Sequence, residues 1–224
     1  MWEFLLAGGP FMLLLVLTSL VSVTFIVERG LALRRQKVVP ANLETLLAEC
    51  RGREDLPLLQ SACEQEPSTL SRLVAGAVAH LAWPKNDNAN ALQTRARQEM
   101  VALERGLVVL EVVVGVAPLL GLLGTIHGLM TLFSDLGQAG VADNAVLARG
   151  IAIALNTTMM GLLIAIPSLI AWSYFTKKVE TFAVELENLM DDLLRRLYRE
   201  TATRTTSPRR KERAKAGARS AASS

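Results

Sequence analysis

Three long apolar runs set the strongest limit on how this chain can fold. Residues 11–27 and 150–175 carry no charged side chain, and residues 107–133 carry one acid. A bilayer core of ~30 Å requires about 20 apolar residues in a helix, with about 17 as the lower limit. Lipid offers no hydrogen bonds to the backbone, so only helices and closed barrels cross it. Aromatic residues make up 5% of the chain, which disfavours a barrel with aromatic girdles.

We therefore predict an all-α membrane protein with transmembrane helices at residues 11–28, 107–133 and 150–175 and long cytoplasmic helical extensions. The chain orientation follows from the cations, because lysine and arginine near a span stay in the cytoplasm. They follow the first run, precede the second and follow the third, at Arg29, Arg34, Arg35, Lys37, Arg95, Arg97, Arg105, Lys177 and Lys178. This pattern predicts a periplasmic N-terminus at 1–10, a periplasmic loop at 134–149 and a cytoplasmic C-terminus.

The predicted cytoplasmic parts are residues 29–106, a helix at 176–200 and a tail at 201–224. Within the first part, residues 83–88 read as a loop, and from Ala91 the pattern predicts one continuous helix into the second span. The helix after the third span has an apolar stripe that needs a partner helix, formed by Val179, Phe182, Leu186, Leu189, Leu193 and Leu197.

The tail is basic and of low complexity, with seven Lys or Arg residues against one acid in 204–219. This composition predicts a disordered extension that favours anionic membrane lipids. It contains no aromatic residue for base stacking, so a nucleic-acid partner is not expected. The chain has no HExxH, GxSxG or phosphate-binding glycine loop, so we expect no enzyme activity, metal or cofactor.

A small, polar face marks the third run, where Ala154, Thr158, Gly161, Ala165 and Ser168 recur every three or four residues. In the second run, Glu111, Pro118 and Thr125 lie seven residues apart, close to two helical turns. Such faces occur where membrane helices pack closely or where water and ions pass. Both interpretations stay open here, because membrane threonines commonly bond their own i−4 carbonyl. Glu111 fits either a functional carboxylate or a side chain that reaches the cytoplasmic interface.

Two motifs on these runs resemble the ExbB/TolQ/MotA family, and ExbB and TolQ most closely. Residues 117–126 read APLLGLLGTI, followed by Gly128, and resemble the second-span signature of those proteins. Residues 155–158 read LNTT, followed by Gly161 and by AIP at 165–167, and resemble the third-span signature. The resemblance also covers the layout of three spans with a large loop between the first two, and excludes the basic tail.

The resemblance implies a subunit of a proton channel in the bacterial inner membrane, which couples the proton-motive force to work on the envelope or to outer-membrane transport. It implies a homopentamer around two copies of a single-span ExbD-like or TolR-like partner, whose membrane aspartate carries the proton. It also admits a periplasm-spanning energy-transducing protein as a partner. Thr125 and Thr158 match the family positions that face the partner's aspartate.

We assign the candidate residues to two sets. The residues expected on the proton pathway or facing the partner's aspartate are Thr125, Thr158, Thr157, Asn156 and Glu111. Those expected to pack or kink the pore helices are Pro118, Gly121, Gly124, Gly128, Gly161, Ala165 and Pro167. A threonine hydroxyl does not titrate at physiological pH, so a partner carboxylate must supply the titrating group.

One position departs from the family pattern. ExbB and TolQ usually have a glutamate five residues before the second threonine, where this chain has Ile153. The alternatives are therefore a non-conducting membrane scaffold that recruits a cytoplasmic partner, and a MotA-type flagellar stator subunit. The latter usually has four spans. The sequence leaves the driven process and the choice between protons and sodium ions undetermined.

Overall fold

The computed structural model describes residues 9–139 and 144–221, and every regular element in these two ranges is a helix. Residues 1–8, 140–143 and 222–224, which include parts of the predicted periplasmic segments and of the tail, lie outside the described residues. A short 3-10 turn at Arg53–Asp55 separates the third and fourth α-helices. The α-helices are α1 Gly9–Ala32, α2 Arg35–Val38, α3 Ala41–Glu49, α4 Leu56–Gln65, α5 Thr69–Ala79, α6 Lys85–Glu104, α7 Leu107–Ala139 and α8 Asn144–Ala221.

The first compact unit contains residues up to Leu33 and residues Leu103–Val179. Its helices α1, α7 and the start of α8 are long and apolar enough to cross a membrane, which confirms the predicted fold class. Their shared core is small and consists of Leu15, Val113, Ala117, Ile164 and Ala165. Many other large apolar side chains of this unit are exposed, as expected for helices surrounded by lipid or by further helices.

The prediction of a continuous helix from Ala91 into the second span was wrong. Helix α6 ends at Glu104, a turn follows, and α7 begins at Leu107. Arg29 explains the break, because its guanidinium donates to the Leu103 carbonyl at 3.3 Å. A continuous helix would offer that oxygen to the amide of Leu107. The Arg29 side chain also fills the space over Gly106, where a Cβ would collide with its Nε atom.

The second unit comprises Arg34–Ala102 and the chain from Glu180 onward. Of the predicted apolar stripe of α8, Phe182, Leu186, Leu193 and Leu197 are buried here, whereas Leu189 is half-buried and Met190 is buried instead. Arg196 fixes this part of α8 to the end of α3, because its Nη1 atom reaches the carbonyls of Leu47 at 3.1 Å and Cys50 at 3.3 Å. Carbonyls at a helix C-terminus have no partner within the helix, so this contact satisfies them.

Two segments of the second unit differ from expectation. Residues 85–88, predicted as a loop, form the first turn of α6, since Pro84 precedes the helix instead of ending one. Helix α8 continues to Ala221 through a segment whose composition predicts disorder. Extending an existing helix avoids the nucleation cost, and alanine, arginine and lysine are good helix formers.

A buried polar junction in the second unit gives a test of its packing. Asn88 donates to the Ala77 carbonyl and to the Tyr198 hydroxyl, both at 3.0 Å, and that hydroxyl donates to the Trp83 carbonyl at 3.0 Å. Tyr198→Phe removes these hydroxyl bonds and should destabilise the purified protein by about 1–2 kcal/mol. Thermal unfolding followed by circular dichroism measures the shift. Tyr174→Phe, at an exposed tyrosine, is the matched control, and equal melting temperatures for both variants would contradict this packing.

Within the described residues, neither Cys50 nor Cys63 forms a disulfide, and Cys63 gives a pH-dependent prediction. Burial, and then the charge of Glu64, raise the pKa of the Cys63 thiol. Since the thiolate is the reactive form, iodoacetamide should modify Cys63 more slowly at pH 8 than it modifies a short cysteine peptide. Above the ordinary thiol pKa the unfolded chain loses the proton first, so this group lowers the stability of the fold as pH rises. Mass spectrometry of timed samples measures the rate, and a rate equal to the peptide's would refute the shift.

Candidate functional site

Two glycines bring α7 and α8 into backbone contact. A Cβ on Gly161 would lie 2.6 Å from the Ala117 carbonyl oxygen, and a Cβ on Gly121 would lie 2.9 Å from the Thr157 carbonyl oxygen. Real side chains do not tolerate such distances, so only glycine fits at these positions. Small residues allow this kind of close packing in membranes, where lipid tails provide no hydrophobic driving force between helices.

At this crossing, five oxygen atoms of α7 and α8 form a cluster. The hydroxyl oxygens of Thr125, Thr157 and Thr158 each lie 3.2 Å from the Gly121 carbonyl oxygen. The Ala154 carbonyl oxygen lies 2.7 Å from the Thr157 hydroxyl and 3.0 Å from the Thr125 hydroxyl. Thr125 and Thr158 also share a hydrogen bond through their hydroxyls. We call these three threonines and two carbonyls the hydroxyl cluster.

Other threonines of the apolar helices show what a merely local bond looks like. Thr18, Thr24 and Thr131 each donate to the carbonyl four residues earlier, at 2.8, 2.8 and 3.0 Å. In the hydroxyl cluster, by contrast, Thr125 reaches the Ala154 carbonyl of α8, and Thr158 reaches the Gly121 carbonyl of α7. The cluster therefore bonds two helices to each other. Its threonines do more than bond the carbonyl four residues earlier in their own helix.

The number of protons in the cluster leaves one hydroxyl donor available. In a helix, each of the two carbonyls already accepts an amide proton, so each has one lone pair left for a hydroxyl. Three hydroxyl protons therefore share two carbonyl lone pairs, and the third is used in the bond between Thr125 and Thr158, which a guest acceptor could replace. Thr157 is 2% exposed, whereas Thr125 and Thr158 are half-buried. Only the latter two can turn a proton towards a group outside the helix pair.

The remaining predicted residues are spread over the helices. Asn156 is half-buried, and Glu111 and Pro167 are exposed, and none of the three joins the cluster. Gly124 packs against Thr157, and Gly128 against Ala154. Ala165 is buried in the core, and Pro118 lies half-buried inside an unbroken α7. No arrangement of three or more His, Cys, Asp or Glu side chains suited to a metal ion occurs in the described ranges.

Two contacts of α1 were not predicted from the sequence. The hydroxyls of Ser22 in α1 and Ser168 in α8 bond at 2.6 Å, and both side chains are buried. Ser22, a small polar residue inside an otherwise apolar run, was the available signal. His127 packs edge-on against Phe11 of α1, with ring centroids 5.4 Å apart. These contacts join α1 to the other two helices of the unit.

Three apolar helices of membrane-spanning length, with a hydroxyl cluster between two of them, define a multi-span helical membrane protein with a polar intramembrane site. The profile of the MotA/TolQ/ExbB proton channel family matches residues 66–188, which include the whole cluster. An ExbB-like biopolymer transport protein of Synechocystis sp. is 31% identical over 189 residues, covering 76% of this chain and 82% of the relative. The chain therefore belongs to the MotA/TolQ/ExbB proton channel family.

Other relatives match shorter segments at similar identity. The biopolymer transport protein ExbB of Helicobacter pylori is 38% identical over 81 residues, covering 36% of this chain and 56% of the relative. The Tol-Pal system protein TolQ of Haemophilus influenzae is 33% identical over 110 residues, covering 49% of this chain and 48% of the relative. The chain thus spans about half the length of these two relatives.

The glycine contacts predict a sharp difference between two substitutions. Gly161→Ala places a methyl group against the Ala117 carbonyl and should cost about 1–3 kcal/mol of stability through overpacking. Gly115→Ala, also within the apolar helices, meets no atom within 4 Å and should be neutral in comparison. Apparent melting temperatures in the same detergent measure both effects. The proposed crossing of α7 and α8 is wrong if the two variants melt together.

Proposed function

We propose that this chain is the ExbB/TolQ-like subunit of a proton-driven motor in the bacterial inner membrane. The motor couples the proton-motive force to mechanical work on the cell envelope or to outer-membrane transport. The hydroxyl cluster carries this proposal, because it provides hydrogen-bond donors inside apolar helices without a titratable group of its own. Membership in a proton channel family supports energy transduction instead of catalysis.

The chemistry of the cluster requires a guest acid. A carboxylate in a low-dielectric environment needs hydrogen-bond donors, and Thr125 or Thr158 can each supply one. When the guest is protonated, it becomes a donor, and the two hydroxyls can return to each other and to the Gly121 carbonyl. The cluster thus interacts differently with the two protonation states of the guest, which is the condition for coupling proton transfer to movement.

The partner in this proposal is a single-span ExbD-like or TolR-like protein whose membrane aspartate is the guest acid. Five copies of this chain would surround two copies of the partner, with membrane lipid outside and a periplasm-spanning protein receiving the work. The cations beside the spans support a periplasmic N-terminus and a cytoplasmic C-terminus. One proton moving down 100 mV releases about 2.3 kcal/mol, so several protons suffice to step the partner from one subunit to the next.

A specific observation supports a second candidate function. No acid occurs in the apolar part of α8, and Ile153 stands where the family usually has a glutamate. A subunit without that carboxylate would suit a non-conducting scaffold whose helices outside the membrane recruit a partner. Proton flux in vesicles that contain both subunits separates this candidate from the motor.

Removing one hydroxyl of the cluster tests the proposed motor. Thr158→Val keeps the size and apolar packing but removes a charge-assisted hydrogen bond worth about 1.5–3 kcal/mol, so proton flux should fall about 10-fold to 100-fold. The measurement uses the complex purified from native membranes, reconstituted in vesicles with a potassium-driven potential and an internal pH dye.

Two further variants control for packing. Thr158→Ser restores the hydroxyl and should recover most of the flux. Thr131→Val removes a threonine hydroxyl that bonds only its own helix and should leave the flux unchanged. If Thr158→Val conducts like the parent protein, the cluster has no part in conduction, and if no complex conducts at all, the scaffold is the better description.

A further inference from the structure

Glu111 is the carboxylate of the apolar helices that the cluster does not use. The other acids in the candidate spans of α1 and α7 lie near the ends of the apolar runs, at Glu28 beside Arg29 and at Asp135, and residues 150–175 of α8 contain none. Glu111 lies four residues into α7 and is exposed. Within the described residues it has no hydrogen-bond or ion-pair partner. An unpaired carboxylate facing lipid is costly, so its position requires an explanation.

The helical register places Glu111 on the same side of α7 as the cluster. Thr125 follows fourteen residues later, which at 100° per residue returns to within about 40° of the same direction. The two positions are about 21 Å apart along the helix axis. Exposed apolar side chains of α7, such as Val112 and Val116, point about 100° or more away from Thr125. Glu111 therefore lies on the edge of α7 where a guest helix at Thr125 would also pack.

Open space follows Glu111 on this side of the helix. A Cβ on Gly115, one turn further along α7, would meet no atom within 4 Å. By contrast, Gly121, Gly124 and Gly128 are each filled by a neighbouring helix. The chain's own helices therefore leave α7 uncovered at Gly115, one turn beyond Glu111, which provides room there for water or a guest.

We propose that Glu111 is the proton-release residue of this protein. The inference rests on the proposed motor function and adds a second proton-binding carboxylate to it. The guest carboxylic acid beside Thr125 loses its O–H proton to a neighbouring water molecule and becomes a carboxylate again, and the proton passes along a chain of waters past Gly115, about 15 Å away along α7. The Glu111 carboxylate accepts that proton through the water and then gives it to water at the basic end of the spans. No electrons are transferred, and each O–H bond that breaks is replaced by a new O–H bond.

The charges near this end of the first unit agree with a release site. On α1, Glu28 is paired with Arg29, whose guanidinium is also bound to the Leu103 carbonyl. The other charged residues at this end are Glu104, Arg105, Lys177 and Lys178, and none is recorded in contact with Glu111. The proposed exit therefore lies at the cation-rich end of these spans, where a negatively charged carboxylate is attracted by Coulomb forces.

The test compares three variants of the reconstituted complex. Glu111→Gln keeps the shape but cannot bind a proton, and should lower proton flux at least 10-fold while the partner still co-purifies. Glu111→Asp keeps the carboxylate and should retain flux within about 3-fold of the parent, as rescue by a conservative variant. Glu104→Gln removes a negative charge seven residues earlier, before α7 begins, and should have no effect.

The outcomes separate the two proposals. If Glu111→Gln conducts like the parent while Thr158→Val does not, the motor stands and Glu111 only reaches the interface, which overturns this inference. If Glu111→Gln and Glu104→Gln lower the flux equally, surface charge explains the effect, and the inference again fails. If the parent complex itself carries no proton flux, both the motor and the release residue are excluded.

Discussion

The contact between the backbones of α7 and α8 is the constraint on which the candidate site depends. Because Gly121 and Gly161 lack side chains, the carbonyl of one helix comes within reach of the hydroxyls of the other. At a usual spacing of 8–10 Å between helix axes, short threonine side chains would bond only their own helix. Here they bond across the interface, between helices whose other side chains are mostly apolar. The same glycines therefore decide both the packing of the spans and their chemistry.

One hydrogen bond of the cluster can be exchanged for a bond to a guest. Three hydroxyl protons face two available carbonyl lone pairs, so the third is used between Thr125 and Thr158, where a stronger acceptor can take it. Thr157 is buried and held at the Ala154 carbonyl, while Thr125 and Thr158 reach the uncovered edge of the helix pair. A neutral, hydroxyl-lined edge can hold a carboxylate from another chain, and it releases the acid form more easily. Membership in a proton channel family is consistent with this property.

Much of this arrangement could be predicted from the sequence, and the failures have physical causes. Long apolar runs determine helices in a membrane whatever surrounds them, and spacing alone placed Thr158, Gly161 and Ala165 on one face. The break between α6 and α7 at Gly106 was not predicted, because it depends on Arg29. This residue is distant in sequence and competes for a helix carbonyl. Likewise, periodicity reports which side of a helix is polar but cannot report which backbone oxygens on a neighbouring helix a hydroxyl reaches. The Ser22–Ser168 bond was missed for the same reason.

Cross-linking the two proteins tests the central claim most directly. With Cys50 and Cys63 replaced by serine, Thr125→Cys or Thr158→Cys is combined with a cysteine in place of the partner's membrane aspartate. Oxidation in native membranes should then give disulfide-linked heterodimers at both positions, and none at Leu163→Cys, whose side chain is 62% exposed on α8. Heterodimers at Leu163 alone, with none at either threonine position, would contradict the account, because the guest acid would then lie on the opposite side of the helix pair.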